Sequence, residues 1–283
     1  MITPMRPDGS VDAEGAKRVA QHLVDTGHDG IVVNGTTGES ATLTDDESLE
    51  MVSLVAEAVG GRAAVVAGVG SNATAHSVEM AGRAQHAGAT GLLLVTPYYN
   101  KPTQAGVVAH CRAVAGVTDL PVMLYDIPGR TAIPFTPETL AELATVPSIV
   151  AVKDAKGEAW STTKVMASTD LLYYSGEDAT TLPWLAMGAI GTVSVVGHVA
   201  GREYAAMIEA VDRGDLAAAR VIHQRLIPAV DAIMSTSQGA IMAKAALVEL
   251  GVIEHATVRL PLVESPPEHL ELLRAGLKES GLL

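Results

Sequence analysis

Short apolar runs rich in β-branched residues alternate with helical stretches at intervals of roughly 25 to 30 residues, the spacing of βαβ units around a parallel sheet. The alternation holds to about Arg213, and from Leu216 onward only helical pattern remains. Together with a length of 283 residues, this predicts an α/β fold: a (β/α)8 barrel over residues 1–215 carrying the active site, and a C-terminal helical domain over residues 216–283. A doubly wound open sheet is the competing arrangement of the same units.

The elements follow in order. Met1 to Thr3 counts as a first strand cut short by Pro4. Asp12 suits the N-cap of a helix reaching Thr26, and Gly30 to Val33 reads as a buried strand. The turn Asn34-Gly35-Thr36-Thr37-Gly38-Glu39-Ser40 follows, and Thr44 with Glu47 forms a capping box that opens a helix ending at Gly60-Gly61. Strand Ala63–Ala67, helix Ala73–Ala87 and strand Gly91–Val95 come next. After Thr96-Pro97-Tyr98-Tyr99-Asn100-Lys101-Pro102, a helix covers about residues 104–117. Pro121 to Tyr125 is a strand running into Asp126-Ile127-Pro128-Gly129-Arg130-Thr131, read as a turn. Thr136-Pro137 pairs an N-cap with proline at the first helical position, for a helix to Thr145. Strand Ile149–Val152, a helix around Ser161–Ala167, strand Leu171–Ser175, a helix from Gly176 through Met187, strand Gly191–Val195 and helix Ala200–Arg213 complete eight units. Leu216–Ser235, Ala240–Leu250 and Pro266–Ser280 read as helices, the last opened by a capping box from Ser265 to Glu268.

Composition excludes several classes of function. Cys111 is the only cysteine, so an intrachain disulfide and a thiolate metal cluster are ruled out and a reducing, cytoplasmic setting is expected. A basic, apolar leader is missing from the start, and no run of 18 apolar residues occurs anywhere, so no membrane association is expected. A net charge of −13 argues against a nucleic-acid partner. If the substrate is an anion, particular local cations must collect it.

The catalytic face of a parallel barrel lies at the carboxyl ends of its strands. Side chains alternate along Ile149-Val150-Ala151-Val152-Lys153, which sets Val150 and Val152 toward an outer helix and Ala151 with Lys153 toward the interior. Burial lowers a lysine pKa, and a neutral amine attacks carbonyl carbon, the first requirement of Schiff-base catalysis. From this stretch alone a solvated lysine at a strand end is the simpler reading, but the other strand ends form a polar rim with it. Tyr125 shares parity with Met123 and also points inward, where a phenol can pass a proton. The Gly35-Thr36-Thr37-Gly38 turn offers hydroxyls and N–H groups to a carboxylate, and Arg130 offers a planar fork to another. Tyr98 and Tyr99, beside prolines, are more often loop anchors than catalysts. Lys101, Lys156, Lys164 and Lys244 are rival lysines, but none ends an apolar strand. Gly68-Val69-Gly70 has the local shape of a dinucleotide fingerprint but lacks its companion acid and sits on the third strand, not the first. The nine histidines show no ligand spacing, so a metal is not expected.

Assembled in order, Gly-Thr-Thr-Gly-Glu-Ser at 35–40, Thr-Pro-Tyr-Tyr-Asn-Lys-Pro at 96–102, Tyr-Asp-Ile-Pro-Gly-Arg-Thr at 125–131, Val-Lys-Asp-Ala at 152–155 and Ser-Gly-Glu-Asp-Ala at 175–179 closely resemble the dihydrodipicolinate synthase family of the pyruvate-dependent class I aldolases. The resemblance implies condensation of pyruvate with L-aspartate 4-semialdehyde, in lysine and diaminopimelate biosynthesis, through an imine on Lys153 and with no external cofactor. It further implies that Thr36 and Thr37 hold the pyruvate carboxylate, that Tyr125 relays protons through Thr36 to a Tyr99 reaching in from a neighbouring subunit, and that Arg130 receives the semialdehyde carboxylate. Gly176 and Val193 match backbone positions lining the pocket, and the family's usual assembly is a homotetramer of tight dimers. The competing readings are a sialic-acid or 2-keto-3-deoxy sugar acid lyase of the same superfamily, which needs a polyol-binding rim in place of Arg130, and a non-catalytic metabolite-binding barrel.

Three departures stand out. The first strand is shorter than the family's. Of the family's lysine-feedback positions, Ser40, Ala41, Asn72 and Tyr98 match, while His76 replaces a glutamate and Asp45 and Ser48 replace histidines. Losing an anionic partner for the effector's ammonium implies weak or absent inhibition by lysine. The chain has one phenylalanine, so the core must rely on Val, Leu, Ala and Met.

Overall fold

The computed structural model describes residues 1–283. In chain order the elements are α1 (Ala13–Asp25), β1 (Gly30–Val33), α2 (Asp45–Val59), β2 (Ala64–Gly68), α3 (Thr74–His86), β3 (Gly91–Val95), α4 (Gln104–Ala115), β4 (Val122–Asp126), α5 (Pro128–Thr131), α6 (Pro137–Leu143), β5 (Ile149–Asp154), α7 (Ala159–Ser168), β6 (Leu172–Ser175), α8 (Thr181–Met187), β7 (Gly191–Thr192), α9 (Gly197–Asp212), α10 (Leu216–Val230), α11 (Gly239–Glu249) and α12 (Pro267–Glu279). The strands neighbour one another in sequence order from β1 to β7, and from β2 onward the pairs are parallel. A doubly wound sheet would reverse its strand order at a switch point. No reversal occurs, and the order is that of a (β/α)8 barrel.

Seven strands stand where eight were expected. The Met1 ammonium donates to Val32 O at 2.7 Å, yet the Ile2 N–H goes to His198 Nε2 at 3.0 Å and the Thr3 hydroxyl to Gly38 O at 2.7 Å. With Pro4 lacking an N–H, the stub never builds a ladder. Burial lowers the His198 imidazole to about 3, so the ring stays neutral and can accept from Ile2. The last strand is also shorter than expected, two residues rather than five, because Gly197 N–H bonds the Ser194 hydroxyl at 2.6 Å and the chain turns into α9.

Helix boundaries follow local chemistry. The capping box at Thr44 forms as expected, with Glu47 N–H donating to the Thr44 side chain and the Glu47 carboxylate accepting from Thr44 N–H, and Gly60 ends α2 at φ 54°. Thr136 caps α6 by accepting from Thr139 N–H at 3.2 Å. The box expected at Ser265 does not form, and α12 begins one residue later with Pro266 as N-cap. A residue before proline is barred from helical backbone, so Pro266, preceding Pro267, stays extended at ψ 161° and cannot be the first helical residue. Residues 128–131, expected as a turn, form the single helical turn α5. The helix from Leu216 gives way to a π-helical turn over Asp231–Ser235, past Pro228.

The chain divides into two compact units, one formed by Met1–Val65 with Ser194–Leu283 and the other by Val66–Val193. In the first, α10 packs on α9 and α12, and α11 buries every residue from Ala240 to Leu247, Lys244 included. In the second, Leu92, Leu94, Leu124, Leu143 and Tyr173 fill the interior with Phe135, the one phenylalanine.

Candidate active site

β5 sets Lys153 beside Tyr125 of β4 and Tyr174 of β6 in register. Strand alternation then puts Tyr125 and Lys153 on the same face, and Lys153 Nζ lies 4.2 Å from the centre of the Tyr125 ring. The alternation expected for β5 holds at Ala151 and Val152, both buried, but Val150 is 36% exposed and does not pack under a helix.

Burial pushes the Lys153 ammonium down to about 8, with Asp178 and Glu177 opposing the shift through space and Arg130 assisting it. At pH 8 about half of such amines are uncharged, against well under about 1% for an ordinary lysine. Burial pushes the Tyr125 phenol up to about 12, with Arg130 opposing and Glu177 adding to the rise. The phenol therefore stays protonated and can both donate and accept. Lys244, a rival lysine, is fully buried and held in an ion pair with Glu39, whereas the half-buried Lys153 faces a ring. An amine held by a carboxylate is a poor nucleophile.

Residues following the strands fix this pair. The Asp154 carboxylate, next to Lys153 but on the opposite face, accepts from Lys156 N–H at 2.9 Å, Gly157 N–H at 3.3 Å and the Thr162 hydroxyl at 2.5 Å. Asp126, next to Tyr125, accepts from Phe135 N–H at 3.2 Å and faces Lys156 Nζ at 3.7 Å. Burial raises its carboxyl to about 7 despite that ammonium. Gly176 N–H donates to Asp154 O at 2.7 Å, and a Cβ at Gly176 would lie 3.0 Å from Lys153 Cγ and 3.1 Å from Ala155 Cβ. A side chain there would push the lysine stem aside by a few tenths of an ångström. Val193 N–H donates to Ser175 O at 2.8 Å just beyond β7.

Arg130 is exposed on α5, near enough to act on both Lys153 and Tyr125. Tyr99 is 88% exposed and sits at φ 72°, a backbone conformation rare for an aromatic residue. Thr36 and Thr37 open a single 3-10 turn after β1, in the other compact unit, with Thr36 exposed and Thr37 half-buried. Glu177 and Asp178 had no role from sequence reasoning, although their signal was present: two acids directly after the glycine that closes β6. No cluster of three or more His, Cys, Asp or Glu side chains is arranged to hold a metal ion.

Residues 1–280 match the dihydrodipicolinate synthetase family. A 4-hydroxy-tetrahydrodipicolinate synthase of Kineococcus radiotolerans is 55% identical over 282 residues, covering 100% of this chain and 92% of that protein. The same-named protein of Acidothermus cellulolyticus is 53% identical over 281 residues, covering 99% and 91%. Among solved structures, the dihydrodipicolinate synthase of Cyanidioschyzon merolae with lysine bound aligns with a TM-score of 0.96 at 43% identity, covering 100% of this chain and 97% of that one. A structure described as the first monomeric dihydrodipicolinate synthase variant aligns with a TM-score of 0.96 at 36% identity, covering 100% and 95%.

Proposed function

We infer that this chain, which belongs to the dihydrodipicolinate synthetase family, is a 4-hydroxy-tetrahydrodipicolinate synthase, a Schiff-base lyase that condenses pyruvate with L-aspartate 4-semialdehyde. The observation that carries the reading is the Lys153 amine, lowered to about 8 and 4.2 Å from the Tyr125 ring at the carboxyl ends of adjacent strands.

The neutral Lys153 amine adds to the keto carbon of pyruvate, and the resulting carbinolamine loses its hydroxyl as water to give an imine. The protonated imine draws electrons from the methyl carbon, which gives up a proton and becomes an enamine. That carbon attacks the aldehyde of the semialdehyde, whose oxygen takes up a proton to become the hydroxyl. The amino group of the second substrate then attacks the imine carbon and expels Lys153, closing the ring. Tyr125 donates to the carbinolamine hydroxyl and exchanges protons with Thr36 and Tyr99, the latter supplied by a second subunit. Thr36 and Thr37 receive the pyruvate carboxylate, Arg130 the carboxylate of the semialdehyde, and Gly176 and Val193 line the pocket with backbone. The imine makes an external cofactor unnecessary. We place the enzyme in the cytoplasm as a homotetramer built from dimers; no helix is long and apolar enough to cross a membrane. We also infer weak or absent inhibition by lysine, from His76, Asp45 and Ser48, and an inhibition curve in the millimolar range checks it.

A coupled assay with both substrates, run beside a panel of 2-keto-3-deoxy sugar acids, tests the assignment. Condensation of pyruvate with the semialdehyde is expected to dominate, and Arg130→Ala to lower kcat/KM for the semialdehyde by at least about tenfold. Cleavage of a sugar acid as the faster reaction, or an Arg130→Ala enzyme that keeps its rate, would reassign the substrate.

A further inference from the structure

Two buried charges take no part in the mechanism above. Lys244, in the middle of α11, is 0% exposed and Glu39 is 5% exposed. Glu39 immediately follows the Thr36–Gly38 turn, its N–H donating to Thr36 O at 3.1 Å. Its carboxylate is used on both oxygens: Oε1 pairs with Lys244 Nζ, and Oε2 accepts from Arg259 N–H at 3.0 Å. Lys244 Nζ also donates to Thr257 O at 2.6 Å. The Arg259 guanidinium donates to Thr42 O at 2.6 Å, to Gly9 O at 2.9 Å and to both Glu47 oxygens at 2.5 and 2.8 Å. From the other side, the Thr3 hydroxyl holds Gly38 O. The turn is thus gripped at Gly38, Glu39 and Thr42.

A buried ion pair is a poor source of stability, because desolvating both charges offsets most of their attraction; its better-attested use is to fix one arrangement against others. Here the arrangement fixed is unusual. Glu39 sits at φ 55°, ψ 35°, a left-handed backbone that an ordinary residue holds only when its surroundings enforce it. The enforced residue is three positions from Thr36 and two from Thr37.

We propose that the Glu39–Lys244 ion pair, braced by Arg259, is a positioning device that holds the Thr36–Thr37 turn in the geometry that receives the pyruvate carboxylate. The proposal rests on the assignment of that turn to pyruvate. It gives the C-terminal helices a part in binding the first substrate. Because the turn receives the pyruvate carboxylate and also carries Thr36, which exchanges protons with Tyr125, loss of the device raises KM for pyruvate most, lowers kcat to a smaller degree and leaves KM for the semialdehyde nearly unchanged.

The test compares Glu39→Gln/Lys244→Met, which removes both charges together, with Arg259→Lys and with Thr37→Ala. The double variant is expected to raise KM for pyruvate about tenfold or more, with kcat within about threefold of wild type. Arg259→Lys keeps the charge but loses the fork, and is expected to raise it by about threefold; it serves alone if circular dichroism shows the double variant unfolded. Thr37→Ala separates the two claims. If it raises KM for pyruvate and the charge variants do not, or if they raise both KM values alike, the positioning role is overturned. If Thr37→Ala leaves KM for pyruvate unchanged, the carboxylate assignment fails, and the proposal with it.

Discussion

On the proposed assignment Lys153 must be uncharged to attack a ketone, and burial penalises its charge. That arrangement costs stability. The folded pKa of about 8 lies below the ordinary 10.5, so between those values the unfolded chain binds more protons than the folded one, and stability rises with pH. Below about 8 the penalty is present in full. Lys153→Met keeps the apolar stem and removes the charge: activity is expected to vanish, while thermal unfolding near pH 7 shows a gain of roughly 1 to 3 kcal/mol that shrinks as the pH rises toward 10.5. A destabilised variant would mean the ammonium is favourably held. Tyr125→Phe removes the proton carrier but not the ring under the amine, and is expected to lower kcat by about a hundredfold while pyruvate still reaches Lys153.

Among the elements, the junction of β5 and β6 leaves little room beside the amine. A methyl group on Gly176 would press on Lys153 Cγ, so Gly176→Ala is expected to lower kcat/KM by about tenfold or more, because small misplacements of a reacting group are heavily penalised. Thr136→Ala, which removes the cap of α6 away from the site, is expected to cost about 1 kcal/mol in thermal unfolding with kcat unchanged. Elements of this kind were legible in the sequence where a local signal was unopposed, as in the capping box at Thr44, the capped proline at 136–137 and the apolar β-branched strands, but not at Ser265, where the paired prolines moved the helix start. Lys153 and Tyr125 were legible by parity in adjacent strands. What remained hidden depends on distant partners. The stub at Met1 looked like a strand because nothing local shows that His198 takes the Ile2 N–H. Lys244 looked idle because its carboxylate partner lies 205 residues away. The helical turn α5 was hidden by its length, too short for any periodicity, and Val150 by a strand position that the alternation rule buries.

At the scale of the whole molecule, an acidic protein must collect two acidic substrates, and on the proposed assignment recognition falls to a few groups: Arg130 on α5, and the turn after β1. The exposed, strained Tyr99 is what the account leaves for a second subunit to use. Mixing Lys153→Met with Tyr99→Ala, each inactive, and exchanging subunits is expected to restore about one quarter of wild-type activity, since half of random dimers are mixed and each then holds one complete site. No recovery would place Tyr99 in its own subunit's site, and a Tyr99→Ala enzyme that is active by itself would place it outside any. The central claim is the reactivity of one amine, and trapping tests it most directly. Incubation with pyruvate and borohydride, followed by peptide mass spectrometry, should find a single reduced pyruvyl group on Lys153, formed faster as the pH rises through about 8. An unlabelled Lys153, or label spread over other lysines, would contradict the account.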